Sequence, residues 1–197
     1  MSINIENEAS NKKRDFIKNF KIFYKQYIKS SSDMENFDNC ACLARKVAES
    51  YCRYVILSSN KTDEEKRELL YKTEKERYTL GTLKDNILKK ENAVLKLNEE
   101  AKKHLRTELE LVLHKGNLGC HDNDKDFSIT LRDLEKVKPI ILDLADDILD
   151  SEYTDLLIKK TDNEIEEERN KMNSNKTVNA KTNIEQLDNT GGTITFN

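Results

Sequence analysis

An all-α protein is the fold class that this sequence predicts. Apolar residues make up 36% of the chain and charged residues another 36%. That balance suits narrow apolar stripes on otherwise solvated helices better than a broad buried sheet. The apolar residues recur at three- and four-residue spacing through most of the chain, the period of a helix face. One proline in 197 residues, and no alternating Val, Ile and Thr run before the last few positions, leave little to break helices or build strands.

The elements follow from that period. Residues 1–8 are polar. From about Ala9, the residues Phe16, Phe20, Phe23, Tyr24 and Tyr27 form an aromatic stripe among lysines, giving an N-terminal aromatic and basic helix over residues 1–33. Such a stripe can stack nucleic acid bases, but it more simply packs on the rest of the domain while the lysines reach past it to water. Ser30-Ser31-Ser32-Asp33 reads as a break with good cap residues. A helical bundle follows over residues 34–152. Its first helix starts near Met34 or Asn39 and runs to Leu57, with Cys40, Leu43, Ala44, Val47, Ala48, Tyr51, Cys52 and Val55 on the inner face. Thr62 and Glu65 have capping-box spacing and start the next helix. Leu80, Leu83, Ile87 and Leu88 give a short helix, and Leu97, Ala101, Leu105, Leu109 and Val112 give a longer one from about Ala93 to His114.

Next comes Leu113-His114-Lys115-Gly116-Asn117-Leu118-Gly119-Cys120-His121-Asp122, which holds two of the five glycines and two of the three histidines. A glycine within a helix costs about 1 kcal/mol relative to alanine, so close backbone approach or polar geometry is expected to outrank helix stability here. Asp122 to Asp126 is a polar loop whose acidic spacing lacks the glycine and distal glutamate of a calcium loop. A helix from Ser128 to Leu149 follows, with Pro139 inside it, and then a charged helix over residues 153–172. Residues 173–197 read as a flexible tail. It ends in a strand-prone segment, where Gly191, Gly192, Ile194 and Phe196 can add to a sheet edge on a partner effector protein.

Net charge is −3, so nothing drives the whole chain toward nucleic acid or membrane. Lys12, Lys13, Arg14, Lys18, Lys21, Lys25 and Lys29 nevertheless concentrate positive charge near the N-terminus. No run approaches the roughly 20 apolar residues of a membrane span, and the first residues lack the apolar core of a signal peptide. Cys40, Cys42, Cys52 and Cys120 match no zinc or redox spacing. A cytoplasmic protein with reduced thiols is the expectation. His114, Cys120 and His121 lie close in sequence, but a helical rise of roughly 10 Å between the two histidines disfavours a shared metal, so neither a metal nor a cofactor is expected.

Three features occur in one order: Ala44-Arg45-Lys46-Val47-Ala48-Glu49, then Leu80-Gly81-Thr82-Leu83, then Gly116-Asn117 with His121 four residues on, closed by a long helix. Over about residues 35–152 this resembles a prokaryotic helical domain family of unassigned function within the HEPN superfamily (higher eukaryote and prokaryote nucleotide-binding). The resemblance implies an antiparallel helical bundle that forms a homodimer, common in bacterial defence and toxin systems. It also implies metal-independent RNA cleavage at a composite site built by an Arg, a polar residue and a His from each protomer. His121 matches the family's His, which near neutral pH can act as base or acid. Asn117 matches its polar position. The Arg position falls on His114 or Lys115, and lysine keeps the charge without the guanidinium fork. Arg45, Lys46 and Arg53 are the candidate RNA contacts. Two readings stand open: a ribonuclease, or an inactive adaptor or sensor that docks a partner through the tail.

Overall fold

The computed structural model describes residues 5–73, 76–92, 94–120 and 128–189, with side chains placed for those between residues 9 and 172. These residues form α1 (Ile5–Asp33), α2 (Phe37–Ser58), α3 (Asp63–Leu70), α4 (Leu80–Leu88), a single 3-10 turn at Lys90–Asn92, α5 (Glu99–Cys120), α6 (Leu131–Leu149) and α7 (Ser151–Asn189). Among the described residues the only β pairing is one bridge between Tyr71 and Arg77. The all-α reading therefore holds.

The chain divides into a unit ending at Ile158 and a second unit from Lys159. In the first, α2 is the central helix, and α1, α3, α4, α5 and α6 all pack on it. Its sequence explains the role. Cys40, Ala41, Ala44, Val47, Ala48, Tyr51, Cys52 and Ile56 are all buried and cover about half of its circumference. Small side chains fill much of its N-terminal half, which lets neighbouring helices come close. The second unit is the continuation of α7 through Asn189, a strongly polar helix with few apolar positions.

The aromatic stripe of α1 faces inward. Phe16, Phe20 and Phe23 are at most 1% exposed, and the Phe16–Phe20 and Phe20–Tyr24 rings lie stacked at 6.4 and 6.3 Å. Asn19 donates to the Ser50 hydroxyl at 2.7 Å, fixing α1 on α2. The stripe is core, not a base-stacking platform. The break expected at Ser30–Asp33 falls later. Ser30 receives a hydrogen bond from Gln26 and Ser32 donates back to the Ile28 carbonyl, so the serines continue the helix. The chain instead reverses at Met34 and Asn36, both at positive φ.

Polar ties join the layers at chosen points. The Tyr51 hydroxyl donates to Asp147 at 2.6 Å, linking α2 to α6. Lys84 pairs with Glu110 at 2.9 Å and Arg106 with Asp85 at 3.2 Å, linking α4 to α5. The Thr62–Glu65 capping box is formed as its spacing predicts, and the Thr62 backbone N–H, Lys61 and the Thr62 hydroxyl hold the Glu65 carboxyl down to about 2. Pro139 sits inside α6 without ending it. α5 differs from expectation at both ends. It begins at Glu99, where Asn98 accepts from the Ala101 N–H, and it continues through both glycines to Cys120.

Replacing Phe20 with alanine should cost about 3–5 kcal/mol in denaturant unfolding, the range for deleting a buried aromatic. Lys18→Ala, on the exposed side of the same helix, should change stability by less than about 0.5 kcal/mol. Equal effects of the two would contradict the assignment of the stripe to the core.

Candidate functional site

The ends of three helices meet where α5 closes. α2 contributes its first turns, α5 its last two turns, and α6 its first turn with the residues before it. α2 and α5 run antiparallel, because α5 reaches Arg45 at Gly116 and Asp38 at Gly119. Both glycines are explained by that approach. A Cβ on Gly116 would sit 2.5 Å from the Arg45 Cβ and 3.2 Å from the Ala41 carbonyl oxygen. A Cβ on Gly119 would collide with the Asp38 backbone carbonyl. The glycines do not interrupt the helix; they remove the side chains that would hold it off α2. The Arg45 stem lies across Gly116 in the space this leaves.

Position on the helix then sorts the motif residues. Each residue advances about 100° around an α-helix, so Lys115 and Asn117 leave Gly116 on opposite flanks. Lys115 turns to α6 and pairs with Asp133 at 2.7 Å. Asp133 is also the N3 residue of the α6 capping box. It accepts from the Thr130 N–H at 3.1 Å and the Thr130 hydroxyl at 2.8 Å, while its own N–H donates to that hydroxyl. Burial alone would raise the Asp133 carboxyl, but the hydrogen bonds from Lys115 and Thr130 outweigh it and hold it down to about 2. Asn117 leaves on the other flank, the side on which Leu113 and Glu110 approach α4. It is half-buried, and its amide has no hydrogen bond to another described residue. His114 points away from the core and is exposed.

The remaining candidates are dispersed. Lys46 is exposed on α2. Arg53 is 7% exposed. It donates to Glu49 at 2.9 Å and to the Tyr78 carbonyl at 2.6 Å, so it ties α2 to the segment before α4. It stands apart from the glycines, nearer the other end of α2. His121, Gly191, Gly192, Ile194 and Phe196 lie outside the described residues. Among the described residues, no group of three or more His, Cys, Asp or Glu side chains is placed to hold a metal ion. No helix of the described residues is long and apolar enough to cross a membrane.

Three residues at this junction escaped the sequence reading. Asp133 was signalled by Thr130-x-x-Asp133, the same spacing that identified α3. Asp38 accepts from the Ile129 N–H at 3.1 Å and anchors the start of α6, a contact between residues 91 apart that no local pattern announces. Cys42 forms a disulfide with Cys120, and their Cα atoms are 5.7 Å apart. The expectation of four reduced thiols is corrected here: Cys40 and Cys52 are free and buried, whereas Cys42 and Cys120 are paired. A separation of 78 residues hides such a pair from any spacing rule.

Compared with known proteins, the chain matches no family model, no curated protein and no solved structure.

Two measurements test this junction. Gly119→Ala should destabilise the fold by about 1–3 kcal/mol, the range for overpacking against atoms that cannot retreat, while Asn117→Ala should cost less than about 0.5 kcal/mol. Lys115→Ala should cost about 1 kcal/mol at neutral pH, as befits a partly exposed ion pair. Asp133 has a native pKa depressed below its unfolded value, so its stabilisation is full above about pH 4 and is lost as pH falls toward 2. The stability gap between wild type and Lys115→Ala should therefore close over that acid range. A gap independent of pH would show that Lys115 acts by packing alone.

Proposed function

We propose that this protein is a HEPN-like helical component of a bacterial defence or toxin system, and that it works as a catalytically inactive adaptor or sensor. One observation carries the reading: the Lys115 ammonium, the cation among the two residues (His114 or Lys115) on which the resembled family's Arg position falls, is held by Asp133 and shares its carboxylate with a helix cap. A cation fixed this way serves the fold and is turned away from Asn117. In this reading the Gly-Asn element is retained for helix packing. The C-terminal Gly191, Gly192, Ile194 and Phe196 dock on a partner effector by strand addition, the domain is a homodimer, and it resides in the cytoplasm.

A metal-independent ribonuclease is the second reading. It is favoured by Asn117, whose amide makes no hydrogen bond to another described residue, and by Arg45, whose stem reaches Gly116 from α2. There Asn117 and His121 act on the RNA backbone, and Arg45, Lys46 and His114 supply charge or a second imidazole.

The readings separate in one assay. Purified full-length protein, freed of metal by chelation, should leave a mixed-sequence RNA intact, with the same background as His121→Ala. Cleavage that His121→Ala abolishes would replace the adaptor reading with the nuclease one. Deleting residues 188–197 should abolish co-purification of the partner from the native host without changing the thermal melt of the bundle. Retained co-purification would remove the tail from the proposal. Light scattering at micromolar concentration should give twice the chain mass of 22.9 kDa; a monomer would exclude the homodimer under those conditions.

A further inference from the structure

We infer that Cys42 and Cys120 form a selective thiol-oxidation site, taking a low-molecular-weight disulfide as co-reactant, and that its oxidation locks the last turn of α5 onto α2. The inference is independent of what the junction binds.

Geometry and exposure carry it. Cys42 lies on α2 and Cys120 is the last residue of α5. Their Cα separation of 5.7 Å falls within the range that a disulfide spans. The close approach that Gly116 and Gly119 permit is what brings these two positions together: Asp38, one turn before Cys42, touches Gly119, and the Cys42 sulfur lies 3.8 Å from the Gly116 carbonyl. Cys120 is exposed and Cys42 half-buried, so a small oxidant meets Cys120 first.

The other two cysteines are excluded by the same physics. Cys40 and Cys52 are both 0% exposed. Burial pushes the Cys40 thiol up to about 12 and raises Cys52 further from the thiolate form. The thiolate is the nucleophile in disulfide exchange, so neither competes, although Cys40 is only two residues from Cys42.

The steps balance. The Cys120 thiolate attacks one sulfur of the small disulfide. That S–S bond breaks, and one small thiolate leaves with the electron pair. The Cys42 thiolate then attacks the Cys120 sulfur of the mixed disulfide and expels the second small thiolate. The protons lost by the two cysteines pass to the two departing thiols. Two cysteine thiols are oxidised to one disulfide, and one small disulfide is reduced to two thiols. A large excess of small thiol runs the sequence backward.

The test uses the full-length protein. Reduced protein is incubated with oxidised glutathione, quenched in acid, blocked with N-ethylmaleimide and mapped by peptide mass spectrometry. The Cys42–Cys120 linked peptide should dominate, with Cys40 and Cys52 blocked only after unfolding. Oxidised protein should melt about 9–18 °C above reduced protein, the shift expected for a cross-link across a long loop in a domain of this size. Cys120→Ser should melt like reduced wild type and lose that response. Cys42→Ser should keep glutathione attached to Cys120, which shows the first step without the second. Glutathione that remains on Cys120 of the wild type, a link involving Cys40, or identical melts of both forms would each overturn the inference.

Discussion

The contact between the end of α5 and the start of α2 decides the arrangement of everything near it. Two glycines within a helix cost about 2 kcal/mol together, and the sequence places both where a Cβ would strike α2. The return is tight packing of α5 on α2, in which Leu105, Leu109 and Val112 of α5 and Ala41, Ala44 and Ala48 of α2 are all buried. The small residues lie on both sides: alanines on one helix, glycines on the other. A methyl group on Gly119 forces the helices apart or shifts the Asp38 backbone, and Asp38 also holds the start of α6 through Ile129. Strain at one glycine therefore reaches a third helix.

Electrostatics completes that junction. Asp38 and Asp133 each sit in the first turn of a helix, where the partial positive charge of the N-terminus favours a carboxylate. Lys115, near the C-terminus of α5, complements the opposite pole. The charges therefore satisfy helix ends before they can serve a ligand. The Cys42–Cys120 link acts on the same interface covalently. Joining residues 78 apart removes about 4.5 kcal/mol of unfolded-chain entropy on the chain-entropy estimate, more than the two glycines cost.

The helices and most of their inner faces were legible in the sequence, because burial imposes a period that survives local irregularities. Phe16, Phe20 and Phe23, the Thr62–Glu65 cap, and the α4 set from Leu80 to Leu88 were all visible that way. The ends of elements were less so. Ser30–Asp33 has cap chemistry, yet hydroxyls that bond back to the preceding turn carry α1 onward. Gly116 and Gly119 have the composition of a break, yet tertiary contact with α2 keeps α5 helical. Within the junction, Asn117 and Lys115 stood out as residue types near two glycines. Their partners did not: Asp38–Ile129 and Cys42–Cys120 join positions whose proximity exists only after the bundle closes.

Spacing in sequence is also a poor guide to convergence when the motif lies within a helix. Lys115, Gly116 and Asn117 are consecutive, and in an extended loop their side chains could gather on one phosphate. On a helix the same three residues point about 100° apart in succession. The middle one must face α2, since only a glycine fits there. Its neighbours are then sent to opposite sides, Lys115 toward Asp133 and Asn117 toward the α4 flank. A cation acting beside Asn117 would have to come from another helix, and Arg45, whose stem crosses Gly116, is the cation that α2 brings to this point.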